Sequence, residues 1–156
     1  MTYAAQKNAP SEEAFKALLR KHSLKATPQR MAVHSAMTSL GHASADQVSA
    51  WIEKNGGAHT TVASVYNILT QLALLGVYGH RMSSNNKMYF DVNTFKHIHL
   101  YDSVNHEYKD LMDDDLINMV ESKLKGRKFR GYKIDSVDIH IVCHPSVKKT
   151  TNKKSI

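Results

Sequence analysis

Apolar residues recur at helical spacing four times in the N-terminal half of the chain. Threonine followed by proline is a typical helix start, because Thr can cap the helix and Pro suits its first turn. Gly41 and Gly76 follow two of the periodic stretches, where glycine commonly ends a helix. The first predicted helix begins at Ser11, and the second runs from Thr27-Pro28 to about Leu40. The third starts near Ser44, capped there or at Asp46, and runs to Asn55, and the fourth runs from Thr60 or Thr61 to Gly76.

After Gly76 the spacing of apolar residues changes from that of a helix to that of a strand. Residues Val77 to Met82 and Lys87 to Val92 are typical of two short strands, joined by the turn-forming Ser83-Ser84-Asn85-Asn86. Helices followed by a β-hairpin predict a winged helix-turn-helix, in which the last helix enters the DNA major groove. The N-terminal half is therefore predicted to bind DNA.

The C-terminal half mixes strands with one helix. Strands are predicted at 97–101, 106–111 and 133–143, and a helix opens at Asp113-Asp114-Asp115 and ends at Gly126. A small sheet with one helix has few ways to bury both of its faces alone, so dimerisation through this half is expected. The fold class is thus α+β: an N-terminal winged helix-turn-helix domain plus a C-terminal α/β dimerisation domain.

The same pattern sets the expected domain boundaries. A disordered leader is expected at 1–10, the winged-helix domain at 11–92 with a hinge near 91–96, the dimerisation domain at 97–145, and a basic disordered tail at 146–156.

Composition favours an anionic partner. The 156 residues include 21 Lys+Arg against 14 Asp+Glu, a net charge of +7, and nucleic acid is the first candidate for such a balance. No apolar run reaches the length of a membrane span, and the N-terminus has no apolar signal region. The single cysteine allows no internal disulfide, which fits a reducing cytoplasm.

The fourth predicted helix carries a face of short, uncharged, hydrogen-bonding side chains. Such a face suits contacts with base edges, although an ordinary solvated helix surface is an equal alternative. The candidate base-reading residues are Ser64, Tyr66, Asn67 and Gln71. The candidate backbone contacts are Lys25, Gln29 and Arg30 before and within the second helix, and His80, Arg81 and Lys87 in the hairpin.

A His-x-His pair is the clearest sign of metal chemistry. If residues 97–101 form a strand, His97 and His99 point to the same face and can bind one ion. Asp91, Asp110 and His42 supply further nitrogen and oxygen donors. The alternative is that the two histidines are only the polar face of a half-exposed strand.

Taken together, these motifs resemble the ferric uptake regulator (Fur) superfamily of bacterial transcription factors. The resemblance runs from Leu18 to Cys143. It is carried by the stretches Lys25-Ala26-Thr27-Pro28-Gln29-Arg30, Gly41-His42-Ala43-Ser44-Ala45-Asp46, Ala63-Ser64-Val65-Tyr66-Asn67, Tyr89-Phe90-Asp91 and His97-Ile98-His99.

The resemblance implies a homodimeric repressor that binds a pseudo-palindromic double-stranded DNA operator and is not an enzyme. It also implies one regulatory divalent metal per chain, Fe(II) or Mn(II) with Zn(II) as an alternative. The positions matching the regulatory metal ligands are His42, Asp91, His97, His99 and Asp110. Lys25 matches a basic residue that contacts the minor groove.

Two residues are similar to the peroxide-sensing (PerR-like) branch of the superfamily. Asp110 stands where iron sensors usually have Glu, and Asn67 stands where they tend to have Arg. The resemblance then implies that peroxide reacts with bound Fe(II) and oxidises the ligands matching His42 and His97. The alternative is an iron, manganese or zinc uptake regulator without peroxide chemistry.

The chain departs from the family at its structural zinc site. The four cysteine positions are occupied by Asp102, Asn105, Cys143 and Ser146, so a structural zinc site made of four cysteines is not expected. An unorthodox substitute would use Asp102, His106, Cys143 and His144. More distant alternatives are a metal-dependent hydrolase, which lacks an evident general base, and a winged-helix module without a metal.

Overall fold

The computed structural model of this chain describes residues 2–3 and 9–146. Contacts divide the chain into two compact units, one of Ala4–Lys96 and one of His97–Ile156 together with Met1–Tyr3. They are called here the N-terminal unit and the C-terminal unit. Most of the expected leader and nearly all of the expected basic tail lie outside the described residues. In chain order the elements are β1 (Thr2–Tyr3), α1 (Glu12–Lys21), α2 (Pro28–Leu40), β2 (His42–Ser44), α3 (Ala45–Asn55), α4 (Val62–Leu74), β3 (Gly79–Met82), β4 (Met88–Asp91), β5 (Ile98–Asp102), β6 (Glu107–Met112), α5 (Asp114–Leu124) and β7 (Ile139–Cys143).

Side-chain caps define the starts of the four helices in the N-terminal unit. The Ser11 hydroxyl accepts a hydrogen bond from the Ala14 amide at 3.2 Å, and Thr27 caps α2 in the same way. Ser44 begins α3 with a reciprocal capping box, and Thr61 begins α4 with another. These contacts confirm the predicted helix starts. Where the sequence left two positions open, the caps are Ser44 and Thr61.

The helices of the N-terminal unit pack around one apolar core. Its largest fully buried side chains include Phe15, Leu19, Val33, Met37, Val48, Ile52, Leu69, Leu72, Tyr78 and Phe90. Two apolar residues of the periodic pattern lie outside this core. Leu40, the last residue of α2, and Val62, the first residue of α4, are both exposed. Gly41 ends α2 with a positive φ of 78°, a conformation that favours glycine.

The predicted hairpin is present but belongs to a three-stranded sheet. β3 pairs antiparallel with β4, and β2 pairs antiparallel with the other edge of β4. The sequence pattern did not predict β2, because three residues are too few to show alternation. This strand matters for the candidate site: its pairing sets His42 opposite Asp91.

The C-terminal unit is built on a four-stranded sheet of order β1-β6-β5-β7. The β5–β6 hairpin is antiparallel, whereas β7 runs parallel to β5. The predicted last strand began at Lys133, but β7 comprises only Ile139–Cys143. Thr2–Tyr3 form β1 against β6, which differs from the disordered leader expected there. None of the helices in the described part of the chain is long and apolar enough to span a membrane.

Candidate functional site

Two possible metal ligands lie side by side in the N-terminal unit. Because His42 and Asp91 are direct partners in the antiparallel β2–β4 pair, their side chains project from the same face of the sheet. His42 Nε2 lies 3.0 Å from Asp91 Oδ2. The other carboxylate oxygen, Oδ1, accepts a hydrogen bond from the Asn93 amide at 2.8 Å, which fixes the buried carboxylate.

Three further possible ligands cluster in the C-terminal unit. His99 and Asp110 are partners across the β5–β6 hairpin, and His97 lies two residues before His99. His97 Nε2 is 3.0 Å from Asp110 Oδ1, and His99 Nδ1 is 3.9 Å from the same oxygen. The two imidazole rings are 4.2 Å apart, and one possible ligand atom of each of the three residues lies within 4.8 Å of the others. All three side chains are buried.

The donor chemistry fits a divalent transition metal. Nitrogen or oxygen ligands at about 2.1 Å from one ion lie about 3.0–3.4 Å from each other in octahedral or tetrahedral geometry. The separations of 3.0 Å in each unit match this spacing, and the 3.9 Å separation requires only a small side-chain rotation. Each set also contains one carboxylate, which offsets part of the charge of a divalent ion in a low-dielectric environment.

A carboxylate that the sequence pattern did not single out contacts one of these histidines. Asp138 Oδ1 lies 3.3 Å from His99 Nε2, the ring nitrogen that does not face Asp110. Asp138 stands immediately before β7, whose parallel pairing with β5 spans about 40 residues of chain. No local sequence motif could indicate such a contact. It follows only from the parallel register of β5 and β7.

The side chains at the family's cysteine positions have their own partners within the C-terminal unit. The Asp102 carboxylate accepts hydrogen bonds from Asn105 and Val104, and the side-chain bond from Asn105 is the main cause of the lowered pKa of Asp102. His106 Nδ1 is 2.7 Å from the Tyr101 hydroxyl, and the Cys143 thiol lies 3.5 Å from the Tyr101 carbonyl. Within residues 2–3 and 9–146 these side chains form no further group of three possible metal ligands.

Some candidate DNA-binding residues of the N-terminal unit are exposed, and others form hydrogen bonds within the chain. Tyr66 and Asn67 are exposed on α4, and Tyr66 keeps 43 % of its surface accessible. Ser64 is instead occupied by the capping box of α4. Arg30 donates to the Gln71 side chain at 3.2 Å and to the Lys25 carbonyl at 2.9 Å.

The remaining candidates for DNA contact lie at the start of α2 and in the hairpin. Gln29 and Lys25 are exposed, and Arg81 is partly buried on β3. Lys87 forms an exposed ion pair with Asp46 at 3.1 Å. An exposed pair of this kind contributes little to stability, so Lys87 can exchange Asp46 for a phosphate at small cost.

A buried histidine in the N-terminal unit lies outside both groups of possible ligands. His34 stacks on Phe15 with ring centroids 3.9 Å apart. Its Nε2 is 2.8 Å from the Pro10 carbonyl oxygen, so this nitrogen donates, and Nδ1 accepts from the Tyr78 hydroxyl at 2.7 Å. Burial lowers the pKa of His34, and it raises the pKa of Tyr78. The ring is therefore held neutral.

A winged-helix unit together with buried imidazole and carboxylate donors defines a metal-responsive transcriptional regulator. The family model described as "Ferric uptake regulator family" matches residues 21–142. The chain therefore belongs to the ferric uptake regulator family, and it is a regulator of transcription, not an enzyme. The family resemblance stated from the sequence motifs is confirmed.

Solved structures of low sequence identity share the fold. The Vibrio cholerae ferric uptake regulator superposes with a TM-score of 0.72 at 19 % identity, covering 84 % of this chain and 99 % of that one. The Helicobacter pylori regulator, whose structure has three functional metal binding sites, gives 0.69 at 21 % identity, covering 90 % and 95 %. The Pseudomonas aeruginosa regulator with manganese gives 0.65 at 21 % identity, covering 85 % and 98 %. A search of curated protein sequences finds no match.

These likenesses confirm the predicted α+β fold class. Regulators of this family bind DNA and form dimers, in agreement with the partners expected from the sequence.

Proposed function

We propose that this chain is a homodimeric repressor that binds a pseudo-palindromic DNA operator when metal is bound and senses peroxide through oxidation of His42 and His97. The observation that supports the proposal is the pair of donor sets, one in each unit, in which every residue but the partly buried His42 is buried. Each set contains a histidine nitrogen 3.0 Å from a carboxylate oxygen. Because the target is DNA, the proposed place of action is the cytoplasm.

The two donor sets together are the proposed ligands of one regulatory metal. They are His42 and Asp91 from the N-terminal unit and His97, His99 and Asp110 from the C-terminal unit. Asp91 and His97 are six positions apart in the chain, so their Cα atoms can never be more than about 22 Å apart. A short connection of this kind allows both sets to reach one ion without a large loss of chain entropy.

The role of the ligand residues is to hold the two units in one relative orientation. In a two-fold dimer, that orientation sets the distance between the two copies of α4, and DNA requires this distance to match the spacing of its half-sites. The metal can then raise the affinity for DNA only by the factor by which it binds the DNA-binding arrangement more tightly than the other arrangements.

Direct contacts with the operator are assigned to the exposed residues of the N-terminal unit. Tyr66 and Asn67 on α4 are the proposed base-reading residues, because they are exposed and carry hydrogen-bonding groups. Ser64 and Gln71 support them through the helix cap and the bond to Arg30. The proposed contacts to the DNA backbone are Lys25, Gln29, Arg30, Arg81 and Lys87.

Peroxide sensing is assigned to the ligand histidines. A bound Fe(II) ion would activate hydrogen peroxide next to the ligands. Overall, one peroxide oxygen would be transferred to an imidazole ring, which is oxidised by two electrons, and the other would leave as water. His42 and His97 are the proposed sites at which an imidazole gains one oxygen atom. An oxidised ring donates more weakly to the metal, so the link between the units is lost and the operator is released.

Mass spectrometry of the intact protein and its peptides tests this proposal. The protein is loaded with Fe(II) without oxygen and then exposed briefly to hydrogen peroxide, with Mn(II)-loaded protein as the control. We expect one added oxygen on the peptide containing His42 or His97 with Fe(II) and none with Mn(II). Metal-dependent DNA binding without any oxidation would instead favour the iron, manganese or zinc uptake regulator.

A further inference from the structure

We propose that Asp138 is a positioning residue for the regulatory metal, because it accepts a hydrogen bond from His99 Nε2 and so holds His99 Nδ1 toward the other ligands. This inference rests on the proposed metal site. It adds to that site a residue that immediately precedes the last strand of the C-terminal unit.

The geometry assigns different partners to the two nitrogens of His99. Nε2 lies 3.3 Å from Asp138 Oδ1, whereas Nδ1 lies 3.9 Å from Asp110 Oδ1 and faces the ligand cluster. A neutral imidazole has one donor nitrogen and one acceptor nitrogen, and a carboxylate only accepts. The nitrogen facing Asp138 therefore carries the proton, and the lone pair on Nδ1 remains for the metal.

The register of the sheet brings Asp138 to this position. β5 and β7 pair in parallel with Ile98 opposite Ile139, so the alternation of side chains places Asp138 on the same face as His97 and His99. His140, the next residue on that face, packs its ring against Tyr101 and Tyr108 instead. Asp138, immediately before β7, is thus the carboxylate that reaches His99.

The neighbouring ligand uses its other nitrogen. His97 presents Nε2 to Asp110 at 3.0 Å, whereas His99 presents Nδ1. The side chain of His99 is 4 % exposed and that of Asp138 is 58 % exposed, so the hydrogen bond lies at the edge of the buried cluster. A flip of the His99 ring would exchange Nδ1 with Cδ2 and Nε2 with Cε1, and so remove the ligand atom. Asp138 opposes this flip.

Variants of Asp138 separate its role as an acceptor from its charge. Asp138→Ala removes the acceptor, and we expect about tenfold weaker Mn(II) binding, at the lower end of the effect of removing such a partner. Asp138→Asn keeps a side-chain oxygen that can accept from Nε2 and should retain most of the affinity. Asp135→Ala is the matched control, because it removes the same charge from the exposed segment before β7.

The measurements are Mn(II) affinity by equilibrium titration and the tautomer of His99 by ¹⁵N nuclear magnetic resonance of the metal-free protein. We expect the proton on Nε2 in the wild type and a mixture of tautomers in Asp138→Ala, with circular dichroism showing that each variant is folded.

Two results would overturn the role of Asp138 while leaving the metal site intact. One is a proton on Nδ1 of His99 in the wild type. The other is an equal Mn(II) affinity for Asp138→Ala and Asp135→Ala when the wild type binds tightly. Failure of the wild type itself to bind Mn(II) or Fe(II) would refute the metal site, and the role of Asp138 with it.

Discussion

The two units of the chain differ in what covers their apolar surfaces. In the N-terminal unit, the inward faces of four helices are buried within the same chain, and Leu69 and Leu72 of α4 are fully covered. In the C-terminal unit, α5 has no buried residue at all. Met119 of α5 is 56 % exposed and Val142 of β7 is 57 % exposed.

This difference shows which unit buries its apolar surface without a second copy of the chain. Apolar area removed from water stabilises a fold by about 25 cal/mol per Å², so the N-terminal unit gains its stability from its own core. The C-terminal unit leaves apolar side chains of a helix and a strand accessible, and a second copy of the chain can cover them. One unit therefore suits DNA reading as an independent module, and the other suits pairing.

The largest expected effect comes from the ligands proposed to join the two units. His97→Ala should abolish the metal-dependent increase in operator binding, because the C-terminal donor set loses the nitrogen that lies 3.0 Å from Asp110. Fluorescence anisotropy with labelled operator DNA and Mn(II) measures this effect. His22→Ala, at the end of α1, is the control and should bind like the wild type. Unchanged metal dependence in His97→Ala would refute the assignment.

The core of the N-terminal unit should respond strongly to a cavity. Leu69→Ala removes a fully buried side chain from α4, and the free energy of unfolding should fall by about 2–5 kcal/mol. Leu74→Ala on the same helix is the matched control, since Leu74 is 79 % exposed and its loss should change little. Urea denaturation of both variants makes the comparison. Equal losses would show that this unit does not fold around the core described.

A charge placed on the exposed apolar face of the C-terminal unit should weaken dimerisation and leave the fold of the unit unchanged. Met119→Asp places a charge on the exposed apolar face of α5 and should weaken the dimer at least about tenfold, or about 1.4 kcal/mol. Asn118→Asp adds the same charge at a neighbouring exposed position and should leave the dimer intact. Sedimentation equilibrium measures both. A dimer of wild-type strength in Met119→Asp would place the interface elsewhere.

The smallest expected effect is a pH dependence confined to the N-terminal unit. Burial lowers the pKa of His34 in the folded chain, so the unfolded chain binds the proton more readily below the ordinary histidine pKa of about 6.5. Stability should therefore be fully present above that pKa and fall as the pH drops below it, by at most about 1.4 kcal/mol per pH unit. Urea denaturation at several pH values should show a shallower slope for His34→Gln. An identical slope would exclude this histidine as the cause.

The sequence predicted the parts of the fold that depend on local chemistry. Capping residues such as Ser11 and Thr27 act within one helical turn, so the helix starts could be predicted from neighbouring residues alone. The strand β2 could not be predicted in this way, because it exists only through its pairing with β4. The prediction that the last strand already begins at Lys133 was wrong for a related reason. Apolar and polar residues alternate imperfectly from Lys133 to Asp138, but among the described residues no strand pairs with this segment.

The same distinction applies to the candidate site. His97 and His99 could be predicted as a pair because strand alternation places them on one face. His42, Asp91 and Asp110 were noted as further donors. Only the resemblance to the family assigned them to one site with the two histidines, because no local spacing connects them. Asp138 was missed, since its contact with His99 arises from a parallel pairing across about 40 residues and belongs to no short motif.

Metal titration of operator binding by the wild-type protein, without oxygen, tests the central claim most directly. The claim is that one cation, bound by donors from both units, controls DNA affinity. We predict that operator affinity rises with Mn(II) or Fe(II) and saturates at one ion per chain. Operator binding of equal strength in metal-free and metal-loaded protein would contradict the account.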